Sequence, residues 1–162
     1  MTRSLAPLLC LGLATCGPPM DEEPLACRNV DEGIASIGAQ DTSNGFLPVA
    51  DQSELLIQFG PQGMHMVTVS LRVDNFEMPR AGSGGTHVTL ALIQDGIVQG
   101  GTVGNLSPTL VVGNRVEFHA VRAIITEAEI GKMVGRPAQM RADIEDGCGR
   151  LLSTAVTMTV VD

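Results

Sequence analysis

The 162-residue chain is 44% apolar, with 19 Gly, 9 Pro, 4 Phe and neither Trp nor Tyr, a length and composition that suit one compact domain. Charged residues make up 17% against a usual value of about 25%, and 18 acidic against 10 basic residues leave a net charge of -8. That balance argues against a nucleic-acid partner, which needs a basic footprint, and the missing Trp and Tyr argue against the aromatic girdles of a membrane-spanning barrel.

The N-terminus reads Met1-Thr2-Arg3 and then an apolar run from Leu5 to Leu13, too short to span about 30 Å of hydrocarbon and shaped like a secretory signal. Leu13-Ala14-Thr15-Cys16 resembles the bacterial lipoprotein box, where an aliphatic residue and two small ones precede an acylated cysteine; Thr15 departs from the Gly, Ala or Ser usual there. The resemblance implies a signal peptide over residues 1–15 and membrane attachment through acyl chains on Cys16. The alternative is a plain secretory signal cut nearby, with Cys16 an ordinary thiol. Residues 16–30 then form a tether, proline-rich and acidic at Gly17-Pro18-Pro19-Met20-Asp21-Glu22-Glu23-Pro24. Under the enterobacterial sorting rule, Gly17 after the cysteine implies the outer membrane.

Of the four cysteines, Cys10 leaves with the signal and Cys16 takes lipid, so Cys27 and Cys148 remain. An even remainder in an exported chain points to a Cys27–Cys148 disulfide. Two free thiols and a metal site are the rivals, and a metal would want more Cys or His at close spacing.

From residue 31 to 162 the pattern is all-β. Val67, Val69, Leu71 and Val73 alternate with Thr68, Ser70, Arg72 and Asp74, the period of a half-buried strand. The same period runs through Leu55, Ile57 and Phe59; Val88, Leu90 and Leu92; Val116, Phe118 and Ala120; Ala138 to Ile144; and Leu152 to Val160. Turn clusters separate these runs: Gly60-Pro61-Gln62-Gly63, the open glycine loop Arg80 to Gly85, Asp95-Gly96, Val112-Gly113-Asn114 and Asp146 to Gly149. Many short strands predict a single domain, an antiparallel two-sheet β-sandwich of immunoglobulin-like architecture, without the Trp and tyrosine corner of that family. Thr126-Glu127-Ala128-Glu129 has capping-box spacing, and Ile130, Met133 and Val134 follow, which predicts one short crossover helix near 126–134.

Ile37-Gly38, Phe46-Leu47-Pro48-Val49-Ala50-Asp51 and Gly60-Pro61-Gln62-Gly63-Met64-His65 carry a further resemblance. They are similar to an exported lipoprotein family of large-genome, myxobacterial-type bacteria, in which a Gly-Pro-Gln-Gly-x-His turn precedes a strand. The likeness covers roughly residues 34 to 75 and brings no established activity with it.

Candidate chemistry is sparse. In Met64-His65-Met66, thioethers beside an imidazole suit copper(I). Strand alternation turns His65 toward the core and both Met away, so the plainer reading is a histidine at the strand mouth that fastens the preceding turn. His87 and His119 lie off the apolar parity of their strands and read as surface residues. Asp143, Glu145 and Asp146 with Asp74 hint at calcium, but alternation with Ala142 and Ile144 reads as a solvated strand face. No catalytic set is legible and no cofactor is implied. The expectation is a non-enzymatic, lipid-anchored module of the cell envelope at the outer membrane that contacts another envelope protein. The alternative is a periplasmic copper(I)-binding protein using His65 and nearby Met.

Overall fold

The computed structural model describes residues 27, 31–41, 45–60, 63–80, 82, 84–126 and 130–162. The leader, Cys16, most of the tether, Pro61-Gln62 and Glu127 to Glu129 of the capping box lie outside the described residues.

The domain is all-β. Its strands are β1 (Ile34–Gln40), β2 (Phe46–Pro48), β3 (Glu54–Leu56), β4 (Gln58–Phe59), β5 (His65–Asp74), β6 (Thr86–Gln94), β7 (Ile97–Leu106), β8 (Leu110–Val112), β9 (Arg115–Ile125), β10 (Pro137–Glu145) and β11 (Leu151–Val161). The expected crossover helix is a short 3-10 turn, Ile130–Lys132, followed by the buried Met133.

These strands form one eleven-stranded curled sheet in the order β2-β1-β5-β9-β7-β6-β10-β11-β3, with β4 on β5 and β8 on β9. The expected separation into two sheets is not what the hydrogen bonds show. The two halves, β2-β1-β5-β9 and β7-β6-β10-β11-β3, are bonded to each other through Gly100↔Ile125 and Gly101↔Ile124. Glycine makes this joint possible. A methyl on Gly100 would come within 2.3 Å of the Ile124 carbonyl oxygen, and one on Gly101 within 2.4 Å of the Leu90 oxygen. The sheet is also mixed, because β3 runs parallel to β11.

On the other side a strap closes the sheet. Residues 46–59 place β2 on β1, cross to set β3 on β11, then place β4 on β5. Backbone bonds follow the crossing: Val49 N–H to Ile37 O (3.3 Å), Thr159 N–H to Ser53 O (2.8 Å) and Ile57 N–H to Val161 O (2.9 Å). The terminal strands β2 and β3 are three residues each, and β2 ends in Pro48, so little unpaired ladder is presented to other chains.

The core lies inside the curl. Val67, Val69, Leu71 and Val73 of β5 meet Val88, Leu90 and Leu92 of β6 and Ala138, Met140, Ala142 and Ile144 of β10, all essentially buried. Two expectations of parity fail locally. Phe59 does not join Leu55 and Ile57 inside; it is 73% exposed because β4 ends there. In β9 the inward set passes from Phe118 to Val121, because pairing shifts between Val69 and Leu71 and β9 carries an extra residue. Ala120 takes φ 53°, a left-handed conformation that a β-bulge provides.

Asp95-Gly96 is the two-residue hairpin its sequence predicts, both residues with positive φ. The glycine loop after Arg80 is not a hairpin: β5 and β6 are not neighbours, and the segment crosses from one half to the other. It is pinned by buried Phe76 and by Gly147 N–H donating to Glu77 O (2.7 Å).

The Asp146-to-Arg150 turn is the most heavily bonded one. Buried Asp146 accepts from the backbone N–H of Cys148 and Arg150 (2.9 Å each) and from Arg150 Nε (2.8 Å). Arg150 also donates to the carbonyls of Asp31 and Asn75 (2.8 Å each). Cys148 is disulfide-bonded to Cys27, with a Cα–Cα distance of 5.7 Å. The turn thereby ties the chain's entry, the β5–β6 crossing and the last hairpin together.

Two glycines of β7 differ in what they tolerate. Gly104 has open space around it, whereas Gly100 does not. Gly100→Ala is expected to lower stability by about 2 kcal/mol or more, and Gly104→Ala to leave it unchanged or raise it by about 0.5 kcal/mol, in urea unfolding. Equal midpoints for the two variants would contradict the joint.

Candidate functional site

Beyond the Gly100–Gly101 joint, β7 and β9 part. Along Thr102 to Leu106, β7 is paired with β6 on one side, and along Phe118 to Ala123, β9 is paired with β5 on one side; no ladder joins the two facing edges among the described residues. The bulge at His119-Ala120 turns β9 away and leaves a cleft of about 260 Å³ lined by Thr102, Leu106, Ser107, Thr109, Phe118, His119 and Arg122. Thr109 closes its far end, its N–H donating to Glu117 O (2.7 Å) and its Oγ1 accepting from the His119 N–H (3.0 Å).

A buried charge cluster lies beside the cleft and meets it at His119. Glu117 stands opposite Arg72 in the β5–β9 ladder, so both side chains leave the sheet on the same, outward face. Arg72 donates through Nε (2.9 Å) and Nη2 (2.8 Å) to Glu117 Oε1, and His119 Nε2 lies 2.8 Å from Glu117 Oε2. The Glu117 side chain is 4% exposed and that of His119 6%. Phe46 of β2 covers the arginine, with its ring 4.3 Å from the guanidinium carbon, and the same ring fills the space a side chain at Gly38 would need.

Burial pushes the Glu117 carboxyl up, but hydrogen bonds from His119 and Arg72, together with their charge, outweigh it and hold the group below the usual carboxylate range. An ionised carboxylate only accepts hydrogen bonds, so His119 Nε2 is the donor. His119 Nδ1 makes no hydrogen bond among the described residues. Arg122, exposed at the cleft, has no carboxylate partner among them either.

The reading of His119 as a surface residue is therefore corrected. Its parity is outward as expected, but Thr109 and the start of β8 cover this part of the outer face, and alternation cannot register such a cover. His87 is exposed, its Nδ1 3.2 Å from Asn105 Oδ1. It lines a second, more open cavity of about 440 Å³ with Arg80, Asn105 and Glu145 beside the Asp146 turn. His65 stands edge-on against Phe59, with ring centroids 4.7 Å apart. Met66 turns to the opposite face of β5, its sulfur over Gly60. Three of the four acidic residues that suggested calcium are divided among arginines: Asp74 with Arg115 (2.6 Å), Asp143 with Arg141 (3.1 Å) and Asp146 with Arg150 (2.6 Å). Among the described residues no three His, Cys, Asp or Glu side chains gather as a metal site.

The chain matches no protein-family model and none of the curated proteins.

A carboxyl held low in the folded state contributes stability that is complete above its unfolded value, near 4.5, and is lost as pH falls through its folded value. Urea unfolding of wild type should weaken below pH 4.5 for this reason. Glu117→Gln is expected to cost about 2 kcal/mol at pH 7 by leaving Arg72 without its charge partner. The gap between variant and wild type should narrow in acid; a gap that is constant with pH would remove Glu117 from the acid dependence.

Proposed function

We propose that the chain is a lipid-anchored module of the cell envelope, held at the outer membrane by acyl chains on Cys16 and working without catalysis by contacting another envelope protein. The observation that carries this reading is the Cys27–Cys148 bond, which ties the tether to the last hairpin. Such bonds persist in exported proteins and are rare in the cytosol. The lipoprotein-box resemblance at Leu13-Ala14-Thr15-Cys16 and the family resemblance around Gly60 to His65 support the same compartment. We propose too that the two halves of the curled sheet act as the facing layers of an immunoglobulin-like sandwich, leaving end loops and the β7–β9 cleft as contact surfaces.

Labelled palmitate is expected on the wild-type protein and not on Cys16→Ala, which should move from the membrane to the soluble fraction. Absence of label on wild type would overturn the anchor. Crosslinking the acylated protein in its own membrane should recover one envelope partner at fixed stoichiometry, and recovery of the protein alone would overturn the contact role.

Cys148→Ala is expected to lower unfolding stability by about 2–5 kcal/mol, since the bond closes a loop of 121 residues. Two titratable thiols at Cys27 and Cys148 in the unreduced, unfolded protein would show the bond absent in the cell.

A further inference from the structure

We propose that the cleft between β7 and β9 captures the carboxylate end of an extended peptide; this rests on the binding-module reading and specifies its ligand.

Three features of the cleft point to that chemistry. Its walls are strand edges, Thr102 to Leu106 and Phe118 to Ala123, each with a ladder on one side only, and such edges recognise extended backbone. Its one guanidinium, Arg122, has no acidic partner among the described residues, in a chain where 18 acidic residues outnumber 10 basic ones. A single guanidinium suits a carboxylate, whereas phosphate is usually met by several converging donors. Third, His119 is nine-tenths buried and lines the cleft, with Nε2 held by Glu117 and Nδ1 unpartnered among the described residues, open to a polar group of the ligand. A chain end places a backbone polar group and a carboxylate on the same residue.

The shape decides between a chain end and a strand passing through. The strand edges diverge from the Gly100–Gly101 joint, and Thr109, bonded to Glu117 and His119, stands at the other end. A short, bounded length of free edge suits a chain tip better than a long strand. The volume, about 260 Å³, is below the roughly 300–1,000 Å³ of ordinary small-molecule sites, which favours a chain tip over a bulky ligand.

The test titrates the purified full chain with N-acetyl-Ala-Ala, its C-terminal amide, and acetate, and follows the His119 imidazole signals by NMR. The free acid is expected to saturate. The amide and acetate should each bind at least about tenfold more weakly, and Arg122→Ala should weaken the acid by about tenfold while leaving urea stability unchanged. Arg141→Ala, on the opposite half, should bind as wild type does. Equal binding of acid and amide, acetate as tight as the peptide, full affinity in Arg122→Ala, or no saturation by about 10 mM would overturn the proposal. The palmitate and crosslinking results are independent of it. A protein that binds the peptide but carries no lipid keeps the cleft and loses the anchor, and an acylated protein with an envelope partner that ignores the peptide does the reverse.

Discussion

Close backbone approach at Gly100 and Gly101 is the constraint on which the architecture turns. Each strand half is internally well paired, yet the ladder between halves is two residue pairs long, continued only by Thr126 N–H donating to Gln99 O (2.8 Å) among the described residues. Any side chain at these positions would push against carbonyl oxygens of β9 or β6. Because the joint is so short, the strands are free to diverge on one side of it. The bulge in β9 makes them do so, since an extra residue increases local twist and bends the strand. Curl, core and cleft therefore have one origin: a sheet stitched at a point and closed on its opposite side by the 46–59 strap.

The cluster beside the cleft is an expensive way to cover a sheet. Removing the Glu117 carboxylate from water costs several kcal/mol unless geometry and extra hydrogen bonds compensate. Here both carboxylate oxygens are used, one by Arg72 and one by His119, and the guanidinium gains the Phe46 face as a second contact. What this arrangement secures is orientation. An ionised Glu117 keeps a hydrogen on Nε2 and so holds the His119 ring in place beside the cleft. A well-packed apolar pair at these positions would cover the sheet as well but would present nothing.

The strand pattern of the sequence was legible where one face is apolar and the other polar, as in Val67 to Asp74 and Ala138 to Ile144, and both strands are seen with that face inward. It failed where packing departs from alternation. β7, Ile97–Leu106, carries three glycines, which read as turn residues, but two of them, Gly100 and Gly101, serve here as sites of backbone approach. β1 was hidden because its inward set is short, with Ile37 its clearest member. The β9 bulge is invisible to a period of two, since Ala120 is an ordinary residue for either face. The site was lost for a related reason. Glu117 and His119 are two apart and thus share a face, which the sequence does show, but their burial depends on Phe46, Thr109 and Arg72, far away in the chain. The Arg72–Glu117 register could be found only once β5 and β9 were known to be neighbours. The Cys27–Cys148 pair, in contrast, followed from elimination among four cysteines and needed no geometry.

The latch at Asp146 to Arg150 bears on how the domain carries load. Tension on the chain before Cys27 would meet the Cys27–Cys148 bond before β1, so it would pass into the β10–β11 hairpin instead of peeling β1 from β5. Arg150 spreads the same force, because its donors hold the Asp31 and Asn75 carbonyls while Asp146 fixes its remaining nitrogen. Peeling an edge breaks ladder bonds one at a time, whereas pulling on a bridged turn loads many together. The covalent bond therefore protects the strand order at the end of the sheet where the chain enters, and the cleft, formed by β7 and β9 away from that path, keeps its shape under such tension.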